Sequence, residues 1–151
     1  GRTPLHYAIC RGQKDIAMKL IKCLKVSPDQ LNVVDKLGRT PLHYTICEGQ
    51  TDITLELIGC LKELPDQLNM KDSNGDTSLH LAIKYGQTPV AMELINILPV
   101  EQLNQTLLAI ETNEEIKAAL HEKLSQQGRL SLFSGGSNSA NEKTSSNKRN
   151  P

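Results

Sequence analysis

The chain has 151 residues, and its 17 Lys and Arg balance its 17 Asp and Glu. Zero formal net charge gives no electrostatic ground for a nucleic-acid partner or an anionic membrane. With no Trp and a single Phe, Phe133, thin aliphatic layers suit the chain better than a large aromatic core, and no run approaches the roughly 18 apolar residues of a spanning helix.

The first element is signalled by Thr3-Pro4, because Thr is a good N-cap and Pro is tolerated at the first helical position. Leu5, Ala8 and Ile9 follow at i, i+3, i+4 spacing, and Gly12 stops the helix after about two turns. A second helix has Ile16, Leu20 and Leu24 along one edge of its buried face, with Ala17 and Ile21 beside them. It is expected to end near Ser27-Pro28-Asp29, since Pro cannot continue a helix. Gln30-Leu31-Asn32 closes the unit, and Asp35-Lys36-Leu37-Gly38 reads as a tight turn into the next one.

That next unit repeats the first. Residues 38–74 match residues 1–37 at 24 of 37 positions. Thr40-Pro41 opens its first helix, Leu42, Thr45 and Ile46 form the stripe, and Gly49 stops it. Ile53, Leu57 and Leu61 line the second helix, which is expected to end near Leu64-Pro65-Asp66. A third copy begins at Gly75, with Ser78 in place of Pro, Gly86 as the stop, and Val90, Leu94 and Leu98 on its second helix. Pro99 directly after Leu98 predicts that this helix is shorter. A fixed period in the 20–50 residue range means a stack of like units, each touching only its neighbours.

Gly-x-Thr-Pro-Leu-His opening a helix, a Gly turn, a second helix and then Asn-x-x-Asp-x-x-Gly resembles the ankyrin repeat. Thr3-Pro4-Leu5-His6, Thr40-Pro41-Leu42-His43 and Thr77-Ser78-Leu79-His80 carry the resemblance, which covers roughly residues 1–125. It implies an all-α solenoid of helix-turn-helix units joined by short β-turn or hairpin loops. The family period is about 33 residues, and the excess here falls around Lys22 to Gln30, where an extra turn of helix and a Pro-Asp-Gln loop are expected.

The repeat domain is expected to span 1–126: repeats at 1–37, 38–74 and 75–104, then a degenerate cap at 105–126. Leu107 to Ile110 and Ile116, Ala119, Leu120 and Leu124 suggest the two helices of that cap, made polar outside by Glu111, Glu114, Glu115, Lys117, Glu122 and Lys123. Nothing caps Leu5 and Ile9 at the front, so the chain is read as a piece of something longer that continues upstream with another repeat or a capping element. Residues 127–151, rich in Gly, Ser, Asn and Lys, read as a disordered tail.

Candidate chemistry is sparse. Cys10, Cys23, Cys47 and Cys60 fall at two repeat positions and lack the clustering of a disulfide or zinc framework, so they are expected to be small buried residues in a reducing compartment. His6, His43 and His80 recur one unit apart, too far for shared chemistry; the resemblance implies that each bonds the Thr of its own unit and a neighbouring backbone group. No Gly-x-Ser-x-Gly, phosphate-binding loop or His-Glu-x-x-His occurs. No enzyme activity, cofactor or metal is expected.

The function implied is protein binding, through a concave surface of turn tips and first helices. Residues that hold the stack are fixed between copies, which leaves the varying ones to face a partner. These are Arg2, Cys10 and Arg11, then Lys36, Leu37, Arg39, Cys47 and Glu48, then Ser73, Asn74, Asp76, Lys84 and Tyr85. Leu37 and Tyr85 stand out as apolar or aromatic residues where turns normally carry polar ones. The partner is expected to be another protein, with no direct nucleic-acid binding and no membrane insertion, for a monomeric scaffold, adaptor or inhibitor. The compartment is expected to be intracellular, cytoplasmic with the nucleus open. A substrate- or host-target-recognition segment of a larger enzyme or microbial effector is an alternative, as is a structural spacer in a longer ankyrin array.

Overall fold

Thr3, Thr40 and Thr77 each begin a helix in the same way. In the computed structural model, which describes residues 1–107 and 114–126, each Thr is extended and its hydroxyl oxygen accepts the backbone N–H three residues on. The His at that third position returns the favour, its ring accepting the N-cap backbone N–H. This is a capping box with imidazole in the place usually taken by Glu or Gln. The helices so started are α1 (Pro4–Cys10), α4 (Pro41–Cys47) and α7 (Ser78–Lys84).

All three end alike. Gly12, Gly49 and Gly86 sit at φ of 67° to 68°, and the N–H groups of that Gly and the Gln after it turn back onto the last helical carbonyls. Gly12 N–H donates to the Ile9 carbonyl at 3.0 Å and Gln13 N–H to that of Ala8 at 2.8 Å. These two bonds satisfy carbonyls that a helix end otherwise leaves open.

The second helices are α2 (Lys14–Leu24), α5 (Thr51–Leu61) and α8 (Thr88–Ile97). The third is one residue shorter, as Pro99 predicts. First helices stack on first helices and second on second, in the order α1, α4, α7 and α2, α5, α8. Between the layers lie Leu5, Ile9, Leu42, Ile46, Leu79 and Ala82 from the first helices, with Ile21, Leu57, Ile58 and Leu94 from the second. At roughly 25 cal/mol per Å² of apolar surface removed from water, these thin aliphatic layers are the main stabilising term.

Two expectations are corrected here. The Pro-Asp-Gln segments are not loops: Pro28–Leu31 and Pro65–Leu68 form single helical turns, α3 and α6. Pro ends one helix, but its fixed φ also starts the next, and each short helix drops its Leu, Leu31 or Leu68, into the core. Ile16, expected on the buried face of α2, is 49% exposed, while its equivalent Ile53 is 1% exposed. Leu20 and Leu24 are half-buried where Leu57 and Leu61 are fully buried. The covering surface for this side of a second helix comes from the preceding unit, and no unit precedes α2 in the structure.

At the far end, α9 (Val100–Leu107) runs across the expected boundary between residues 104 and 105. A further helix covers residues 114–126, with Ile116 and Leu120 buried. Its Lys123 ammonium donates to the carbonyls of Ile95, Asn96 and Leu98, capping the end of α8 with a positive charge. The expected disordered tail at 127–151 and the Leu108 to Ile110 part of the cap lie outside the described residues. Among the described residues no helix is long and apolar enough to cross a membrane.

Candidate interaction surface

The turns between units decide which varying residues stay free. Asp35 is buried and its Oδ1 accepts the N–H groups of Leu37 at 2.9 Å and Arg39 at 3.0 Å. Its Oδ2 accepts the Tyr44 hydroxyl at 2.6 Å, and Arg2 lies 3.7 Å away. Burial pushes the Asp35 carboxyl up, but the bonds from Tyr44 and the Arg39 and Leu37 amides outweigh it and hold its pKa at about 2. Asp72 repeats the arrangement one unit on, accepting from the Asn74 and Asp76 amides and from the Arg39 guanidinium at 3.2 Å. The turns also touch each other, since Ser73 N–H donates to the Leu37 carbonyl at 2.9 Å. Gly38, at φ 70°, allows that approach: a Cβ there would lie 3.3 Å from the Ser73 nitrogen.

Arg39 is therefore committed to the stack, paired with Asp72 and only partly exposed. Arg2 reaches the Tyr44 hydroxyl at 3.0 Å and lies over the Tyr44 ring, 5.1 Å from its centroid. Asp76 gives its backbone to the turn, its carbonyl accepting the Asp72 N–H at 2.9 Å. Lys36, Leu37, Ser73 and Asn74 form the exposed turn tips. Arg11, Glu48, Lys84 and Tyr85 are exposed at the C-terminal ends of the first helices.

Cys10 and Cys47 are half-buried against the core, and burial pushes both thiols up. The neighbouring Tyr85 side chain and the Arg39 charge act the other way on the Cys47 thiol, without offsetting burial. The expectation that the four cysteines are buried is corrected: all four are free thiols, Cys10, Cys47 and Cys60 are half-buried and Cys23 is exposed, because that edge of α2 faces water.

Leu37 and Tyr85 are 48% and 50% exposed, large side chains left in water beside partners that are locked. Leu37 borders an open groove of about 510 Å³ that also has Arg2, Tyr7, Asp35 and Lys36 on its walls. The sequence alone did not single out Tyr44, which joins Asp35, Arg2 and, edge-on at 5.6 Å, the His6 ring. The seven residues ending at Tyr44 are identical to those ending at Tyr7, and what differs most is the preceding unit that Tyr44 meets.

The histidines are joints. His6 Nδ1 accepts the Thr3 N–H at 3.0 Å and lies 2.8 Å from its hydroxyl, while Nε2 lies 3.1 Å from the Arg39 carbonyl. With Nδ1 accepting, the ring proton sits on Nε2 and donates across the junction. His43 does the same toward the Met70 and Asp76 carbonyls at 3.1 and 3.3 Å. Burial lowers the pKa of both, which favours the neutral ring this arrangement requires. Both ring nitrogens of His6 and His43 are thus engaged in holding one unit to the next. Among the described residues no three His, Cys, Asp or Glu side chains cluster as a metal site.

A family model described as ankyrin repeats (3 copies) matches residues 1–66 and 17–106. No curated protein and no solved structure matches the chain. Three capping boxes, three Gly-Gln helix ends and the Asp-x-x-Gly turns that hold them in register agree with that match: the chain belongs to the ankyrin-repeat family.

Proposed function

We propose that this chain is a protein-binding module, serving as a scaffold, adaptor or inhibitor, that receives its partner along the turn tips and the C-terminal ends of its first helices. The observation that carries this reading is the exposure of Leu37 and Tyr85 at positions where the units differ, set among residues whose polar groups are already bonded within the stack. Large apolar side chains beside polar ones are what binding hot spots use, and Tyr is enriched there. Lys36, Glu48 and Lys84 flank them as solvent-exposed charges that supply a polar rim. The four free thiols suit a reducing, intracellular compartment.

The test is affinity capture with the full chain from cell extract, followed by titration of the recovered partner against variants. Leu37→Asp and Tyr85→Ala should each weaken binding by about ten-fold or more, the scale of a hot-spot truncation, with unchanged helical circular dichroism. Wild-type affinity in both variants rules this surface out.

A further inference from the structure

The back of the stack, formed by the second helices, carries an apolar groove at their C-terminal ends. Lys25 and Val26, which follow α2, line it together with Leu55, Glu56, Gly59 and Cys60 of α5, around about 470 Å³ of open space. Val26 is 82% exposed, Leu55 is 38% exposed and Cys60 is half-buried. Glu63, the counterpart of Val26 one unit on, is exposed with a unit on either side, so this openness belongs to the position. Gly59 leaves the floor bare. It has no positive φ that would require a glycine, and a Cβ there would meet nothing within 4 Å. Its counterparts in the other units are Lys22 and Asn96. Gly is a poor helix former, and what it offers here is close approach to the backbone from outside.

The chain itself holds a segment of matching chemistry. Residues 127–151 lie outside the described residues, and their sizeable apolar side chains, Leu130, Leu132 and Phe133, fall within seven residues of Gln126. Lys123, one turn before Gln126, holds the last helix on the C-terminal end of α8, and α8 packs on α5. Packed helix axes lie roughly 8–10 Å apart, so at most about 20 Å separates that helix from α5, and seven extended residues span roughly 23 Å. The segment therefore leaves from the end of the second helices where the groove lies, and it is long enough to reach it. Charge agrees. Residues 1–126 carry 13 Lys and Arg against 16 Asp and Glu, while residues 127–151 carry four against one. The acidic surplus lies from Glu48 onward, where 13 acidic residues face five lysines before Gln127, and Glu56 is on the groove wall.

We propose that the segment Arg129-Leu130-Ser131-Leu132-Phe133 docks back on this groove and covers the rear of the stack. Phe133 fills the space over Gly59 between Val26 and Leu55, and Leu130 and Leu132 lie along the path from α8. Arg129 faces the acidic side chains of α5 and α8, Glu56 and Glu93. The tether favours this occupant over a separate molecule, because a short linker holds its segment at an effective concentration of about millimolar. The groove lies on the second helices, away from the turn tips. It and the surface at Leu37 and Tyr85 can therefore fail independently.

Phe133 is the chain's single Phe, which makes its ring a unique probe. In the full chain with labelled methyl groups, Val26 and Leu55 should show nuclear Overhauser contacts to that ring, unchanged on dilution. Val26→Asp should abolish these contacts and leave helical circular dichroism intact. Cys60 alkylation, read by peptide mass spectrometry, should be at least about five-fold slower in the full chain than in its Phe133→Ser variant, since only the undocked fraction reacts. Cys10 and Cys47, on the first helices, should react equally in both. Absent ring contacts, or equal Cys60 rates in the two proteins, overturn the proposal. So do contacts that arise only between differently labelled copies, because the occupant would then be a second molecule.

Discussion

The junction between the first and second units and that between the second and third share one backbone plan but not one set of side chains. At the first, the turn aspartate Asp35 is met from both sides, by Arg2 of the unit before and by the Tyr44 hydroxyl of the unit after. At the second, among the described residues, Arg39 is the one side chain that meets Asp72, because Leu81 stands in the place of Tyr44 and is buried as a plain aliphatic. One unit further on, Asp76 stands at the arginine position, and His80 keeps its Thr77 contact. Among the described residues the side-chain bonding to the turn aspartate is richer at the first junction than at the second. The backbone turns and helix caps repeat regardless, so the plan of the stack resides in the caps and the hydrophobic layers, and the side-chain bonds grade its strength.

Acid should break both junctions with the largest effect, in two windows. Burial lowers the pKa of His6, His43 and His80 below their ordinary 6.5, so the unfolded chain takes up protons first. Their contribution is complete above pH 6.5 and falls as pH drops from there toward the folded values. Asp35 is lowered from 3.8 to about 2, and Asp72 is lowered too, so their contribution holds above 3.8 and is lost on the way down to about 2. Urea midpoints measured from pH 8 to pH 2.5 should decline in both windows; a flat response between pH 7 and 5 contradicts the neutral-imidazole joints.

Replacement at the His43 joint should separate cap from bridge next. His43→Ala removes a cap bond and leaves the Met70 and Asp76 carbonyls without their cross-junction donor, at a cost of about 2–3 kcal/mol. Thr40→Ala removes the side-chain cap bond and leaves the His43 bridge in place, at about 1 kcal/mol. Equal losses in denaturant unfolding would mean that the bridge adds nothing.

The smallest contrast is the sharpest. Tyr44→Phe takes one bond from a buried carboxylate and should cost about 1.5 kcal/mol, whereas Tyr7→Phe on the exposed equivalent should stay within about 0.5 kcal/mol. The two substitutions are chemically identical within matching local sequence, so a difference in unfolding free energy measures the neighbouring unit alone.

Much of the fold was legible in the residues. Thr before the first helix, Gly after it and apolar spacing of three and four are local signals, and each produced the expected element. The short helices α3 and α6 were not legible, because Pro signals an end and a beginning with the same ring geometry. The candidate surface was partly legible. Variation between units marks residues that the stack does not fix, and it pointed to Leu37 and Tyr85, which the structure leaves exposed. The same criterion included Arg39, which a buried aspartate 33 residues away holds in the stack.

What the sequence determined by itself is the unit: where each helix starts and stops, which stripe is apolar, and that the pattern recurs every 37 residues. These follow from interactions within a few residues, which local order encodes directly. Only the tertiary structure decided that Tyr7 is open and Tyr44 closed, that Ile16 is in water and Ile53 in the core, and that Gln50 bonds a carbonyl 41 residues back. Identical residues acquire different roles there because burial and bond partners belong to the neighbouring unit, not to the residue's own stretch of chain.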